Sequence, residues 1–446
     1  MLAALTLAFA AVSCDGGARK SSGGTDSTGA TTTGATSTTP SGTSTGETGT
    51  TGTTGSGTTT SGGTGTEPGT TGSGPSPPPP PSSGHHGRPF LIGTVDDAFQ
   101  QRYRPVASRL IGVAHRAGFN ALVVSIVWRH GRTKPSRREV HALRNVAAGA
   151  HRHRVRPFLL VWNGLQNNTP ATEDDRKQLA KFTAATAHKV HGFRDVIVGN
   201  EPNVNTFWMP QFGPNGGDVA ARAYFDLLAR TYDALKDVSP KIRVIGGALA
   251  ARGVDRPGTG RDTHSPTRFI RDLGRAYESS GRSKPIMDAF AIHPYPGHSR
   301  IPPDVRHTTS RAITLADYPK LVELLKDAFD GTPQRGDKLP ILYTEFGVET
   351  PVPPGKRRWY TNFGAPDAAD VVSPAVQARY YRLAFQIAYC QPTVEGLFIF
   401  HTYDERDLQG WQSGLYYADQ TPKPSLPSFR RTAAAVRDGT IAQCSD

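Results

Sequence analysis

The stretch Asp195-Val196-Ile197-Val198-Gly199-Asn200-Glu201-Pro202-Asn203 places a glutamate directly after a short apolar run. A second stretch of the same kind, Pro340-Ile341-Leu342-Tyr343-Thr344-Glu345-Phe346-Gly347, carries its glutamate 144 residues later. Short continuous apolar runs are typical of parallel strands that are buried on both faces. In a (β/α)₈ barrel, side chains at the carboxyl ends of the strands gather at one mouth. We therefore expect Glu201 and Glu345 to meet at the mouth of such a barrel.

The rest of the chain supports this fold, because strand-like and helical patterns alternate eight times. The predicted strands are Phe90–Thr94, Ala121–Val127, Arg156–Trp162, Asp195–Gly199, Arg243–Gly247, Met287–His293, Ile341–Glu345 and Gly396–His401. The predicted helices cover about 103–117, 136–152, 172–190, 218–237, 266–280, 316–330, 374–390 and 425–437. Strict alternation predicts an α/β fold, a (β/α)₈ TIM barrel over residues 87–446. Gly93-Thr94-Val95-Asp96 lacks the phosphate-binding glycine loop of a doubly wound sheet.

The N-terminal part of the chain has a different composition. Residues 15–86 are almost entirely Gly, Ser, Thr and Pro, so they have little to bury and are predicted to be a disordered tether. Residues 1–14 contain a short apolar run that fits a signal peptide and is too short to span a bilayer. Cys14 follows Ala11-Val12-Ser13, which resembles a bacterial lipoprotein cleavage site. We expect an extracellular or cell-surface protein, with a lipid anchor at Cys14 or simple secretion as the two alternatives.

The cysteine content and the net charge limit which redox environments and binding partners are compatible with the chain. Apart from Cys14, the chain has Cys390 and Cys444, which form either one disulfide or two buried thiols. The net charge of +13 is compatible with anionic glycans or a cell wall, with nucleic acid, or with a solvated basic surface. The arginines show no nucleic-acid-binding motif, so no nucleic-acid partner is expected. No Cys/His spacing fits zinc, and we expect neither metal nor cofactor.

Glu201 and Glu345 have the residue types that glycosidic bond cleavage needs. In a retaining glycosidase one carboxyl protonates the leaving oxygen while the other attacks the anomeric carbon. Like-charge repulsion raises the pKa of the acid, so that one carboxyl is protonated while the other is ionised. Asn200, directly before the first glutamate, is suited to bind a sugar hydroxyl. The structural alternative is two surface or capping glutamates.

The order and context of these motifs resemble glycoside hydrolase clan A, the retaining (β/α)₈ glycosidases that include families 5 and 39. The resemblance covers most of residues 88–435. It implies that Glu201 is the acid/base, Glu345 the nucleophile and Asn200 a substrate-binding residue. Ala291-Ile292-His293-Pro294-Tyr295 resembles the clan's His-x-Tyr after strand six, whose tyrosine bonds the nucleophile. His293 and Tyr295 are therefore predicted site residues, although core positions are the alternative for both.

The sequence departs from the clan in two places. Gly118-Phe119-Asn120 is not followed by the arginine that family 5 enzymes usually carry on strand two. Phe400-His401-Thr402-Tyr403 stands where many members have a tryptophan at the end of strand eight, and His401 is a predicted substrate-binding residue there. These departures leave the sugar and the family within the clan open.

The five tryptophans all fall at predicted strand ends or in the loops that follow strands. Aromatic faces pack on the apolar faces of sugars, although some tryptophans close the core under loops instead. We expect three of the five to line the cleft. The predicted substrate-binding tryptophans are Trp128, Trp162, Trp208 and Trp411, whereas Trp359 is not assigned a role.

Taken together, these residues predict a monomeric, extracellular, retaining O-glycosidase that hydrolyses a β-linked poly- or oligosaccharide. A non-catalytic barrel that binds carbohydrate or cell wall is the alternative from a different class. A transglycosylase would use the same residues with a sugar instead of water as acceptor.

Overall fold

A computed structural model describes residues 89–444. Eight parallel strands form a closed barrel in sequential order, and β1 pairs with both β2 and β8. The barrel prediction is confirmed. The strands are β1 Leu91–Val95, β2 Ala121–Val127, β3 Arg156–Trp162, β4 Asp195–Val198, β5 Arg243–Ala250, β6 Ala289–His293, β7 Ile341–Phe346 and β8 Val394–Phe400.

A helix follows each strand, and the helices lie close to the predicted ranges. They are α1 Arg104–Ala117, α2 Arg137–His153, α3 Glu173–Lys189, α4 Ala220–Val238, α5 Pro266–Ser279, α6 Tyr318–Ala328, α7 Pro374–Tyr389 and α8 Leu426–Arg437. Local chemistry sets several boundaries: Ser136 and Thr172 open α2 and α3 with capping boxes. Gly118 ends α1 with a positive φ of 122°.

The hydrophobic residues form two layers separated by the wall of the barrel. The inner layer fills the barrel and includes Phe158 and Phe398, whose rings meet edge to face at 5.1 Å. The outer layer packs the strands against the helices and includes Leu122, Val124 and Phe269. Because both faces of each strand are covered, the strands read as continuous apolar runs in the sequence.

Charged residues close the barrel at the amino ends of its strands. Asp195 on β4 is buried and accepts two hydrogen bonds of 2.7 Å from the guanidinium of Arg156 on β3. Arg243 on β5 contacts Glu395 on β8 at 2.5 Å. This end of a barrel contributes to stability, and the opposite end is left for binding.

The C-terminal tail is tied to α7. Cys390 and Cys444 form a disulfide across a sequence separation of 54, as one of the two sequence alternatives predicts. Among residues 89–444, helices fall short of the length or apolar character needed to cross a membrane. The leader, the tether and Cys14 lie outside the described residues, and the predictions about them stay predictions.

Candidate active site

Glu201 follows β4 in a loop that holds its backbone in a rare conformation. Its φ is +42°, a left-handed value that costs a residue other than glycine about 1–3 kcal/mol. The Glu201 N–H donates to the carbonyl of Ala248 at 2.8 Å, and the N–H of Gly199 donates to Val161 at 2.8 Å. These bonds to β5 and β3 fix the turn. The side chain of Glu201 is buried, with the residue 7% exposed.

Glu345 on β7 reaches the mouth because the strand is irregular there. Tyr343 and Phe346 both pack in the outer layer although they are three residues apart, and the register against β8 shifts between them. An extra residue in a strand re-aims the neighbouring side chains. Glu345 therefore leaves the outer layer and meets the groups that follow β4 and β6.

The two glutamates and His293 form one buried group. Nδ1 of His293, at the end of β6, lies 2.9 Å from Oε1 of Glu201 and 3.5 Å from Oε2 of Glu345. One ligand atom from each of the three residues lies within 4.8 Å of the other two. Carboxyls about 5–5.5 Å apart are typical of retaining glycosidases, whereas inverting enzymes need about 6.5–9.5 Å. The separation is suited to direct attack on a sugar held by both glutamates.

The same three residues are the one group in residues 89–444 that offers three close His and acidic ligand atoms. Each is already engaged by another member of the group through hydrogen bonds or short contacts. Tyr295 adds a fourth partner, because its hydroxyl donates to Oε2 of Glu345 at 3.2 Å. The four side chains therefore form one hydrogen-bonded cluster.

Burial and mutual charge set the protonation of this group. Burial raises the pKa of Glu345 to about 7 and the charge of Glu201 adds to the rise, while His293, His401 and the Tyr295 hydrogen bond oppose it. Burial alone would lower the pKa of His293, but the charges of Glu345 and Glu201 raise it above its ordinary value. Burial and both carboxylates raise the pKa of Tyr295 well above 10, so that it stays a donor.

Opposing influences act on the proton of Glu345, because burial and the charge of Glu201 favour its protonated form. A carboxylate that attacks an anomeric carbon must be ionised, so such a role for Glu345 depends on the groups that oppose the rise in its pKa. Tyr295 and His401 both favour the charged form of Glu345. The balance between these neighbours and burial therefore decides whether Glu345 is ionised.

His401 lies directly after β8 and behaves as a buried cation. Its Nδ1 is 2.5 Å from the carbonyl oxygen of Val95, and its Nε2 is 3.3 Å from Oε1 of Glu405. A ring whose two nitrogens both face acceptors carries two protons. Burial opposes this charge, but Glu405, Asp96 and the Val95 carbonyl raise the pKa of His401 to about 9. His401 thus acts on the site through its charge.

Asn200 lies beside Glu201 with an amide that the protein leaves available. The residue is 3% exposed, and its Oδ1 has no hydrogen-bond partner among the described residues. Buried polar atoms are nearly always paired in folded proteins. An unpaired amide oxygen next to the acid is therefore suited to a hydroxyl of the substrate.

Aromatic side chains border the group on one side. The half-buried Trp411 packs against Tyr295 at 5.2 Å and meets Phe400 edge to face at 5.8 Å. Trp162 contacts Phe207 at 5.8 Å and belongs to the same inner layer. Trp411 and Trp162 thus both pack with the inner layer of the barrel. A substrate-binding role was predicted for both residues.

Trp128 and Trp208 occupy different positions from those expected. Trp128 is 0% exposed and Trp208 1% exposed, and both lie in the outer layer between strands and helices. The indole of Trp128 donates to the carbonyl of Arg132, and Trp208 meets Tyr224 on α4 edge to face. The prediction that these two tryptophans line the cleft is wrong. Their rings pack against the helices, where a sugar has no access.

Two acidic residues near the site were not predicted. Glu405 contacts His401 and also accepts a hydrogen bond of 3.0 Å from the backbone N–H of Trp411, so it connects His401 to the residue that carries this aromatic ring. Asp96, directly after β1, is buried and accepts the N–H of Tyr403 at 3.2 Å. Asp96 carried the same signal as the two glutamates, an acidic residue right after a strand.

Comparisons with known proteins support the fold. No protein-family model matches the chain, and no curated protein matches it. A solved structure of the β-glycosidase BGL167 is 15% identical with a TM-score of 0.51 and covers 80% of this chain and 98% of that one. The β-glucosidase 1317 is 16% identical with a TM-score of 0.51, over 78% and 98%.

A GH39 enzyme from Xanthomonas axonopodis pv. citri is 16% identical with a TM-score of 0.48, and the chain spans 66% of its length. At these identities the likeness concerns the fold. The chain therefore has the (β/α)₈ barrel fold of solved β-glycosidases, as its resemblance to clan A implied.

Proposed function

We propose that the protein is a retaining O-glycosidase that hydrolyses a β-linked oligo- or polysaccharide. The observation that carries the proposal is the approach of Glu201 and Glu345 to within 4.8 Å, with His293 between them. Two carboxyls at this separation are suited to double displacement at an anomeric carbon.

In the first step Glu345 attacks the anomeric carbon, and a covalent bond forms between its carboxylate oxygen and the sugar. Glu201 gives its proton to the oxygen of the leaving group as the glycosidic bond breaks. Tyr295 stabilises the attacking carboxylate by donating the 3.2 Å hydrogen bond to its Oε2. The contact of 2.9 Å between Nδ1 of His293 and Oε1 of Glu201 orients the acid.

In the second step Glu201, now ionised, removes a proton from water as the water attacks the same carbon. The bond to Glu345 breaks, and the released sugar has the configuration that the substrate had. Each step inverts the configuration of the anomeric carbon once, so the product keeps the anomeric configuration of the substrate.

Two residues support a sugar in this position. The unpaired amide of Asn200 is suited to a hydroxyl next to the reacting carbon, where the contact strengthens in the transition state. Trp411, fixed against Tyr295, offers an aromatic surface to the apolar face of a sugar ring. The names of the solved β-glycosidases support a β-linkage.

The protein is proposed to act outside the cell or at the cell surface. The apolar leader-like residues 1–14 and the Cys390–Cys444 disulfide both support an oxidising, exported environment. The non-catalytic alternative is disfavoured because both carboxyls are present, buried and in contact with a common histidine. A transglycosylase remains the alternative that shares the first step.

The deciding experiment combines activity with stereochemistry. The chain is screened against aryl β-glycosides and β-linked polysaccharides, and proton NMR follows the anomer formed first. We expect the β-anomer before mutarotation. Formation of the α-anomer would contradict direct attack by Glu345, and no cleavage of any substrate would contradict the proposed function. Added sugar acceptors separate hydrolysis from glycosyl transfer.

A further inference from the structure

The positive charge of the chain is concentrated in one part of the barrel. Residues 101–172 contain thirteen Lys and Arg side chains and a single acidic one, Glu139, so they hold twelve of the net thirteen positive charges. These residues form α1, α2, β2, β3 and the segments between them. A concentration of like charge destabilises the compact state, and its usual benefit is attraction of an opposite charge.

Most of this charge is not neutralised within the protein. Among the described residues, Arg132 pairs with Glu139 and Arg156 pairs with Asp195. The other eleven Lys and Arg side chains of this stretch form no ion pair within residues 89–444, although Arg109 donates to Oε1 of Gln420 and Arg144 to the carbonyl of Lys189. Unpaired guanidinium groups have several donors free for carboxylate or phosphate.

Some of these side chains line a groove between α1 and α2. The groove has a volume of about 480 Å³, and its lining includes four arginines and one histidine, Arg104, Arg109, Arg116, Arg152 and His153. No carboxylate is part of the lining. All four arginines are exposed. The groove is therefore a cationic channel on the outside of the barrel.

Two glycines shape the groove. A Cβ on Gly149 of α2 would lie 2.8 Å from Ile111 of α1, and a Cβ on Gly112 would lie 2.9 Å from His153. The absence of side chains lets the helices approach closely and leaves a depression between the arginines. Burial, with the charges of His115, Arg152 and Arg116, lowers the pKa of His153, as expected in a positive field.

We propose that the groove between α1 and α2 binds a carboxylated polysaccharide chain, held by Arg104, Arg109, Arg116 and Arg152. The groove follows α1 from its first turn, at Arg104, toward its last, at Arg116. The first turn follows the β1 loop at the catalytic mouth. A chain in the groove is thus held on the same molecule as the mouth, on the outside of the barrel, which raises its local concentration.

The lining disfavours single-stranded nucleic acid. Phe, Tyr and Trp are absent from the groove lining, so unpaired bases have no aromatic surface on which to stack. The choice of a glycan also rests on the proposed function, because the same polymer would then supply the cleft. Binding in the groove does not require turnover. The proposed glycosidase activity and the proposed groove site can therefore be disproved independently of each other.

The test measures binding of polygalacturonate to the full chain. The linkages of this polymer are α, so a β-glycosidase does not cleave it during the measurement. Fully methyl-esterified polygalacturonate is the uncharged control ligand, and duplex DNA at equal charge concentration is the competing polyanion. Affinity is measured by titration at about 50 mM and about 200 mM salt, because contacts to a polyanion weaken steeply with salt.

The groove variant is Arg109→Gln with Arg116→Gln and Arg152→Gln. The matched control removes the same number of exposed arginines from α4, α5 and α7, as Arg222→Gln with Arg271→Gln and Arg382→Gln. We expect the groove variant to weaken polygalacturonate binding at least about fivefold and the control less than about twofold. Lysine at the three groove positions should restore most of the affinity.

Three outcomes would overturn the proposal. Equal losses in the groove and control variants would mean that net charge alone acts. Equal affinity for the esterified polymer, or no binding at about 50 mM salt, would remove the carboxylate as the recognised group. Tighter binding of DNA than of polygalacturonate, with the groove variant affecting DNA more, would assign the groove to nucleic acid.

Discussion

The hydroxyl of Tyr295 donates a 3.2 Å hydrogen bond to Oε2 of Glu345. The donor follows β6 and the acceptor lies on β7, so two neighbouring strands build the bond. It favours the ionised form of Glu345, whereas burial and the charge of Glu201 favour the protonated form. Tyr295 thus helps to keep Glu345 ionised.

The first prediction concerns the pH dependence of the unmodified enzyme. Catalysis needs one proton on the carboxyl pair, and the pKa of about 7 for Glu345 marks the loss of the last one. As pH rises through about 7 the pair becomes doubly ionised and the acid is lost, so kcat/KM should fall. At low pH both carboxyls are protonated and the nucleophile is lost. A plot of kcat/KM against pH checks this. A rate that stays level from pH 6 to pH 9 would contradict it.

The second prediction is a shift of that alkaline limb in Tyr295→Phe. The tyrosine lowers the pKa of Glu345, so its removal raises this pKa and moves the limb to higher pH by about one unit. The maximal rate should also fall. Tyr232→Phe is the control, since that hydroxyl lies on α4 beside Asp288. A lower rate with an unmoved limb would leave Tyr295 with a packing role only.

The barrel could be predicted from the sequence because eight buried strands leave eight apolar runs, and the two glutamates because each follows such a run. The sequence could not predict whether a tryptophan faces the inner or the outer layer of the barrel. In β2, Ala121 and Val123 belong to the inner layer. Side chains alternate along a strand, so Trp128 lies on the other side, in the outer layer. In β3 the inner layer takes Phe158, Leu160 and Trp162. Both faces of these strands are apolar, so the sequence holds no pattern that separates inside from outside.

Irregular geometry is the other part that the sequence does not reveal. The shift in β7 that re-aims Glu345 and the left-handed turn at Glu201 depend on bonds to neighbouring strands. The link from Glu405 to His401 and Trp411 depends on how the loop after β8 folds back. Neither residue type nor spacing indicates these contacts.

The third prediction concerns a buried ion pair beneath the loops after β7 and β8. Nζ of Lys423 lies 2.7 Å from Oδ1 of Asp404, both side chains are fully buried, and Thr350 accepts a further bond from the lysine. Lys423→Met leaves a buried carboxylate without its cation and should cost about 3–5 kcal/mol of unfolding free energy. Urea unfolding measures this.

Asp404→Asn combined with Lys423→Met is the control for that prediction, because it removes the unpaired charge and keeps an acceptor for Tyr360. The double variant should recover more than half of the loss. A double variant less stable than Lys423→Met would show that the two residues act separately.

The fourth prediction tests Glu201 as the acid. Aryl glycosides with good leaving groups need little protonation, so Glu201→Ala should still form the glycosyl-enzyme from them. Unactivated glycosides should lose rate by about 10²–10⁴-fold. Steady-state and burst kinetics on the two substrate types measure the difference. Equal losses on both would mean that Glu201 positions the substrate and does not protonate it.

The fifth prediction separates the two glutamates by the stereochemistry of rescue. Glu345→Gly should lose at least about 10³-fold in rate, because no glycosyl-enzyme can form. Azide then attacks the substrate directly, in the space that the side chain leaves, and a single displacement gives the α-glycosyl azide. In Glu201→Ala the glycosyl-enzyme still forms, so azide attacks that intermediate and the second inversion gives the β-glycosyl azide. Proton NMR of the two products distinguishes them. The same azide anomer from both variants would contradict the assignment of Glu345 as nucleophile and Glu201 as acid/base.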